Sequence, residues 1–200
     1  VGQTNDFLAI AITGNLDLDG NIGADNFTAA GATTLAVSGT SALSGDVTTS
    51  STQTYSGAVT LSSEAINLKG STIQFASTVT GGSQDLKVDG ILDANNTIAG
   101  VKVLEVTGAS NLANNVTTSD TQTYTGAVTM DAFANVLTTS NDNITFGATV
   151  DSGSTARNLT LNTTAETGTI KFTGNVGQTN DFLAIAITGN LDLDGNIGAD

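Results

Sequence analysis

The stretch Val1 to Asp25, VGQTNDFLAIAITGNLDLDGNIGAD, returns letter for letter as Val176 to Asp200. The chain therefore re-enters its own beginning at Val176. Duplicated segments drift, so identity over this length marks copying that is recent or still being homogenised. The expectation is a window, slightly longer than one unit, from a tandem array: residues 1–175 form one unit and 176–200 start the next. A repeated unit constrains architecture more tightly than any local propensity, because each unit must bury its faces against its neighbours.

An older repeat lies inside the unit. VTTSSTQTYSGAVTL at Val47 to Leu61 matches VTTSDTQTYTGAVTM at Val116 to Met130. Leu35, Val37, Gly39 and Leu43 extend the match to Leu104, Val106, Gly108 and Leu112. A finer pattern places two apolar residues around three small or polar ones, as in Ile12/Leu16, Leu18/Ile22, Leu43/Val47, Tyr55/Val59, Phe75/Val79, Val88/Leu92 and Phe146/Val150. Beside these pairs stand alternating triplets such as Leu35-Ala-Val37, Leu86-Lys-Val88, Leu159-Thr-Leu161 and Ile170-Lys-Phe172. Alternation gives one inward and one outward face, and a spacer of three with a glycine suits a bend between short strands.

Short strands, small-residue corners and small slips of register specify an all-β parallel β-helix, or β-solenoid, continuous over residues 1–200. Each coil leaves its backbone edge open and pairs with the next coil about 4.8 Å away. Val, Ile, Leu and Phe are expected to stack inside, with Thr and Asn outside. The spacing of the apolar pairs permits coils of roughly 20 or roughly 35 residues, so a unit would hold about five to eight coils and rise roughly 24 to 40 Å. The rival is a string of β-sandwich domains, but the chain has no Trp, no Pro and no Asn-Gly hairpin turn.

Composition closes off several functions. An apolar fraction of 38% is too high for a disordered chain despite a net charge of −14. Five Lys and Arg residues build no basic patch, which argues against nucleic acid and anionic lipid as partners. The longest apolar run, Phe7 to Ile12, is far short of a membrane span. With no Cys and no His, thiolate metal sites and Ser–His or Cys–His catalysis are excluded.

Asp17, Asp19, Asn21 and Asp25 carry oxygen ligands at positions 1, 3, 5 and 9 of a loop, the spacing that opens a calcium-binding loop. Ile22 occupies the place of the turn glycine and Thr28 that of the closing Glu, so a solvated acidic face is the favoured reading and calcium the alternative. Asp17 and Asp19 lie at i and i+2 on one strand face, which does not place acids on opposite sides of a glycosidic bond. No catalytic or cofactor-binding residue is assigned, and the chain is not expected to be an enzyme. Tyr55 and Tyr124, equivalent in the older repeat, could stack on sugar; core packing is favoured, with the hydroxyl at the rim.

QTYSGAVTL at 53–61, QTYTGAVTM at 122–130 and NITFGATVDSGSTARNLTLNT at 143–163 resemble the repetitive regions of filamentous-haemagglutinin-like adhesins, bacterial exoproteins exported by two-partner secretion. The resemblance spans about residues 30 to 175. It implies a right-handed β-helix, an extracellular or cell-surface location and a role in adhesion or matrix. The resulting expectation is a secreted fibre or adhesin stalk whose partners are further copies of its own repeat. Lateral self-association between rods and binding of surface glycans complete the expected partners, and a repeated binding module acting by avidity is the alternative function.

Overall fold

The chain winds into a parallel β-solenoid of about eight turns, shown by a computed structural model that describes residues 7–23, 32–140, 142–164 and 167–198. Every strand pairing is parallel and no helix occurs among the described residues. Antiparallel sandwiches are thereby excluded. Three strands make one turn, so the cross-section has three faces. Face one carries Phe7–Ile12, Ala32–Val37, Thr52–Tyr55, Ser110–Leu112, Val128–Met130 and Val150–Ser152. Face two runs from Leu16–Leu18 through Ser41–Leu43 and Val116–Thr118 to Arg157–Thr163 and Phe182–Thr188. Face three runs from Val47–Thr48 through Leu104–Val106, Gln122–Tyr124 and Ile144–Phe146 to Asn190–Leu193.

Two long strands, Ala65–Phe75 and Asp85–Ala94, bend through the corner from face three to face one and join both faces into one sheet. Their bends fall at Gly70 and Gly90, where the pairing register shifts. Many of the remaining corners are the three-residue spacers read from the sequence. Tyr55/Val59 and Phe75/Val79 turn face one into face two, and Phe146/Val150 turns face three into face one. The apolar residues on both sides of these corners point inward and are buried, as are both ends of each alternating triplet.

Pairing partners settle the coil length. Leu35 pairs with Gln53 and Leu92 with Ser110, whereas the longer turns carry Ile144 to Ile170 and Leu16 to Ser41. The smaller of the two expected coils is the real one. Extra residues in the longer turns enter outside the inward-facing triplets, so the ladder is preserved. Coils can slip in length without loss of pairing.

In-register parallel stacking puts like on like. Val37, Tyr55, Phe75, Ala94, Leu112 and Met130 form one column on face one. Val106, Tyr124, Phe146 and Phe172 form another on face three. The rings follow the coil spacing: Tyr55 and Phe75 stack at 5.5 Å between centroids, Tyr124 and Phe146 at 5.4 Å, Phe146 and Phe172 at 5.0 Å. Both tyrosines are fully buried, so they serve the core and not a sugar platform.

The expectation that Thr and Asn lie outside needs correction. Thr49, Thr118, Thr139, Thr163, Asn135, Gln53 and Gln122 are all buried. They close the corners from within. Gln53 Nε2 donates to the carbonyls of Val47 and Lys69 at 3.0 and 2.8 Å, and its Oε1 accepts from the Tyr55 hydroxyl at 3.0 Å. Gln122 repeats the arrangement with Val116, Thr138 and the Tyr124 hydroxyl. A backbone turning a sharp corner aims carbonyls inward, and an unpaired buried carbonyl is costly. The Gln-Thr-Tyr motif supplies the missing donors.

Glycine at the corners answers a different constraint. A Cβ on Gly126 would run into the Gly108 carbonyl of the coil below, and a Cβ on Gly57 into that of Gly39. The backbones meet at the corner more closely than any side chain allows. Gly126→Ala is expected to destabilise the fold by about 1–3 kcal/mol through overpacking, while Thr125→Ala, on an exposed neighbour, stays within about 0.5 kcal/mol. Equilibrium denaturation of both variants checks this.

Burial pushes both phenols well above their ordinary pKa. A tyrosine in the unfolded chain ionises near pH 10 while the buried one stays neutral. The stabilisation is therefore whole below that pH and lost as pH rises above it, by about 1.4 kcal/mol per pH unit for each tyrosine. Lys87 and Lys171, raised by hydrogen bonds to Glu105 and to Asp192 and Asp194, act in the same direction. Denaturant midpoints measured between pH 9 and 12 should fall steeply, and Tyr55→Phe should remove about one proton from the slope.

Candidate functional site

The acidic loop, a calcium candidate beside the favoured reading of a solvated face, occurs in both copies of the repeated segment. In the first, Asp17 lies on the short strand Leu16–Leu18 with its side chain in solvent, and Asp19 is equally exposed at the corner that follows. Asn21 Oδ1 accepts the backbone N–H of Asp46 in the coil above at 2.8 Å. Asp25 lies outside the described residues. The strand geometry aims Asp17 outward from the sheet, and Asn21 is already committed to a neighbouring backbone.

The second copy shows what the pair does when a coil lies beneath it. Asp192 and Asp194, the counterparts of Asp17 and Asp19, both hold Lys171 of the coil below, at 2.7 and 2.8 Å. Lys171 pairs with Asp192 in the strand register, so the clamp is a rung of the ladder on its outer side. Two carboxylates at i and i+2 lie on one face, and a single ammonium of the adjacent strand bridges both. No group of three or more carboxylate, His or Cys side chains suited to a metal occurs among the described residues.

Outside the core, the corners repeat one polar device. Asn15 Oδ1 accepts Thr40 N, Asp46 Oδ1 accepts Asn67 N, Asn115 Oδ1 accepts Val136 N, Asn143 Oδ1 accepts Thr169 N and Asn175 Oδ1 accepts Asn196 N, at 2.8 to 3.1 Å. Each side chain reaches one coil upward and pairs a backbone N–H there. The recurrence of Asn or Asp directly after glycine, as at Asn15, Asp46 and Asn175, carries this signal in the sequence. Residue type alone suggests only a solvating role for them.

One outer groove stands apart from these structural roles. Asn111, Thr129 and Asp151 stack in register on the outer side of face one. With Asp131, Ser154, Thr179 and Asn180 they line a polar groove of about 550 Å³. Its upper wall is tied down by Asp151 Oδ1, which accepts the N–H of Thr179 at 2.8 Å, and by Ser152 Oγ, which donates to the Asp181 carbonyl at 2.7 Å. Asn111 Oδ1 is shielded from solvent and has no protein partner. Thr179 and Asn180 belong to the second copy of the repeated segment, so one wall of the groove comes from that copy.

The surface also bears isolated apolar residues. Phe133 is 74% exposed, and Leu8 and its counterpart Leu183 are 83% and 64% exposed. Leu183 falls where the register with the coil below shifts, which turns it out of the core.

Because Lys171 already bridges Asp192 and Asp194, and Asn21 is committed to the Asp46 N–H, the thermal midpoint in millimolar calcium should match that in chelator. A calcium-dependent rise would identify the acidic loop as a cation site. Comparison of the chain with protein-family models, with curated proteins and with solved structures finds no match.

Proposed function

We propose that the chain is a segment of an extracellular fibre or adhesin stalk, built from tandem units that continue one into the next as an uninterrupted solenoid. The observation that carries this reading is the pairing of the repeated segment on both of its edges. In the first copy, Phe7–Ile12 and Leu16–Leu18 pair upward with Ala32–Val37 and Ser41–Leu43. In the second copy, Phe182–Thr188 and Asn190–Leu193 pair downward with Arg157–Thr163 and Thr169–Phe172. The same segment thus has a matched neighbour above and a matched neighbour below, and the unit-to-unit junction costs no hydrogen bond.

The mechanism is mechanical. Pulling such a shaft along its axis loads many backbone hydrogen bonds and a continuous apolar column together, with no linker to give way first. A net charge of −14 keeps neighbouring shafts apart in dilute salt, and screening or divalent cations would let them associate side by side. Secretion to a bacterial surface and a part in attachment or matrix follow from the adhesin resemblance of the QTYSGAVTL and NITF segments.

A second reading is favoured by the groove over Asn111, Thr129 and Asp151. Its hydroxyl, amide and carboxylate lining suits a polyhydroxylated ligand such as a surface glycan, bound weakly at each boundary and strongly by many. Glycan binding that depends on two consecutive units and disappears in Thr129→Arg would favour this over a passive stalk.

The stalk reading predicts length. Chains carrying one, two and three further units should appear in electron micrographs as thin rods lengthening by about 40 Å per unit at the inter-coil spacing. Beads joined by flexible hinges would overturn it.

A further inference from the structure

We infer that each repeat unit advances the solenoid by eight and one-third turns, so that successive units present the same outer residues on the three faces in rotation. The inference rests on the tandem reading above and adds the angular relation between units.

The two copies of the repeated segment do not occupy the same faces. Phe7–Ile12 lies on face one, whereas its identical counterpart in Phe182–Thr188 lies on face two. Leu16–Leu18 lies on face two and its counterpart in Asn190–Leu193 on face three. Ile22 bridges to Val47 on face three, while its counterpart Ile197 bridges to Val176, above Val150 on face one. All three strands move by one face in the same sense.

Following the register gives the whole number of turns. The face-two column rises from Leu16 through Ser41, Val59, Val79, Ile98, Val116, Leu137 and Leu161 to Ile187, eight steps in all. Ile12, the counterpart of Ile187, precedes Leu16 by one corner, a third of a turn. One unit therefore spans eight turns and one corner more.

A fractional turn is tolerable only if a segment is indifferent to its face, and the chain contains an independent case. Gln53-Thr-Tyr55 lies on face one and its echo Gln122-Thr-Tyr124 on face three, yet each Gln closes its corner with the same carbonyl and hydroxyl partners. The corners obey local rules and not the identity of a face.

A surface approaching from one side would then meet a given groove at every third boundary, about 120 Å apart, with the intervening two facing away. Lateral partners that are second copies of the chain are offered equivalent contacts in three directions, which suits a bundle and not a flat sheet.

The test is cryo-electron microscopy of the full-length chain across at least three consecutive units, with one label per unit at the position of the exposed Thr117. Averaging along the shaft should give a rise of about 40 Å per unit and a rotation of about 120°. The same rise with labels aligned on one side would overturn the fractional turn and leave the continuous shaft standing. Loss of any regular rise between units would overturn both.

Discussion

The structure depends on one arrangement: the backbone edge of each coil is closed only by the coil above and the coil below. Among the described residues no strand finds its partner within its own turn, and the corners are paired from coil to coil as well. Ser38 N donates to the Ile12 carbonyl, Gly39 N to that of Gly14, and Gly108 N to that of Gly90. A solitary coil would leave its N–H and C=O groups to water and its apolar triplets half covered. A stack satisfies both in one step, which is why stability in such folds grows by addition of neighbours.

Parallel, in-register pairing then dictates chemistry along the columns. Whatever sits at one level lies about 4.8 Å from its equivalent at the next, so like charges would repel and like apolar groups cohere. Inside, the column is apolar, with rings stacked nearly parallel. Outside, cations meet acids of the adjacent coil at a few places: Lys87 Nζ meets Glu105 at 2.7 Å, Lys69 meets Asp89 at 3.6 Å and Arg157 meets Asp131 at 3.5 Å. Exposed pairs of this kind contribute little to stability. Which residues lie opposite each other is fixed by the apolar pattern, since a one-residue slip would turn each strand's apolar residues outward.

Much of the fold was legible because its grammar is short. The apolar pair around three small residues marks a corner, and Tyr55/Val59 or Phe146/Val150 could be read without knowing what lay on either side. Coil length was not legible, because it depends on which triplets pair. Leu92 could face any of several similar triplets, and its choice of Ser110 leaves no local mark. The buried polar residues were misread for a related reason. Thr118 and Asn135 look like solvating residues by type, and only the corner geometry reveals that carbonyls point inward and need donors. Of the candidate site, the pairing of Asp17 with Asp19 on one face was visible, while the lysine one coil below that bridges such a pair emerges only in Asp192, Asp194 and Lys171. The outer groove was invisible, since its two walls come from Asn111 to Ser154 and from Thr179 and Asn180.

The same local grammar explains how an array can be copied without a whole number of turns. If each face demanded its own residues, a duplicated unit would fit only after complete turns, and a mismatch of a third would bury charges and expose the core. Here a duplicated segment needs only to arrive with its corners in step. Phe7–Ile12 and Phe182–Thr188 meet different faces, yet Ile10 and Ile12, like Ile185 and Ile187, turn inward in both and pack on the core. The constraint on duplication is thus the phase of the corner and not the phase of the turn, three times easier to satisfy. A chain lengthening by tandem copying can accept any unit that closes on a corner, and its surface features spread around the shaft as a consequence.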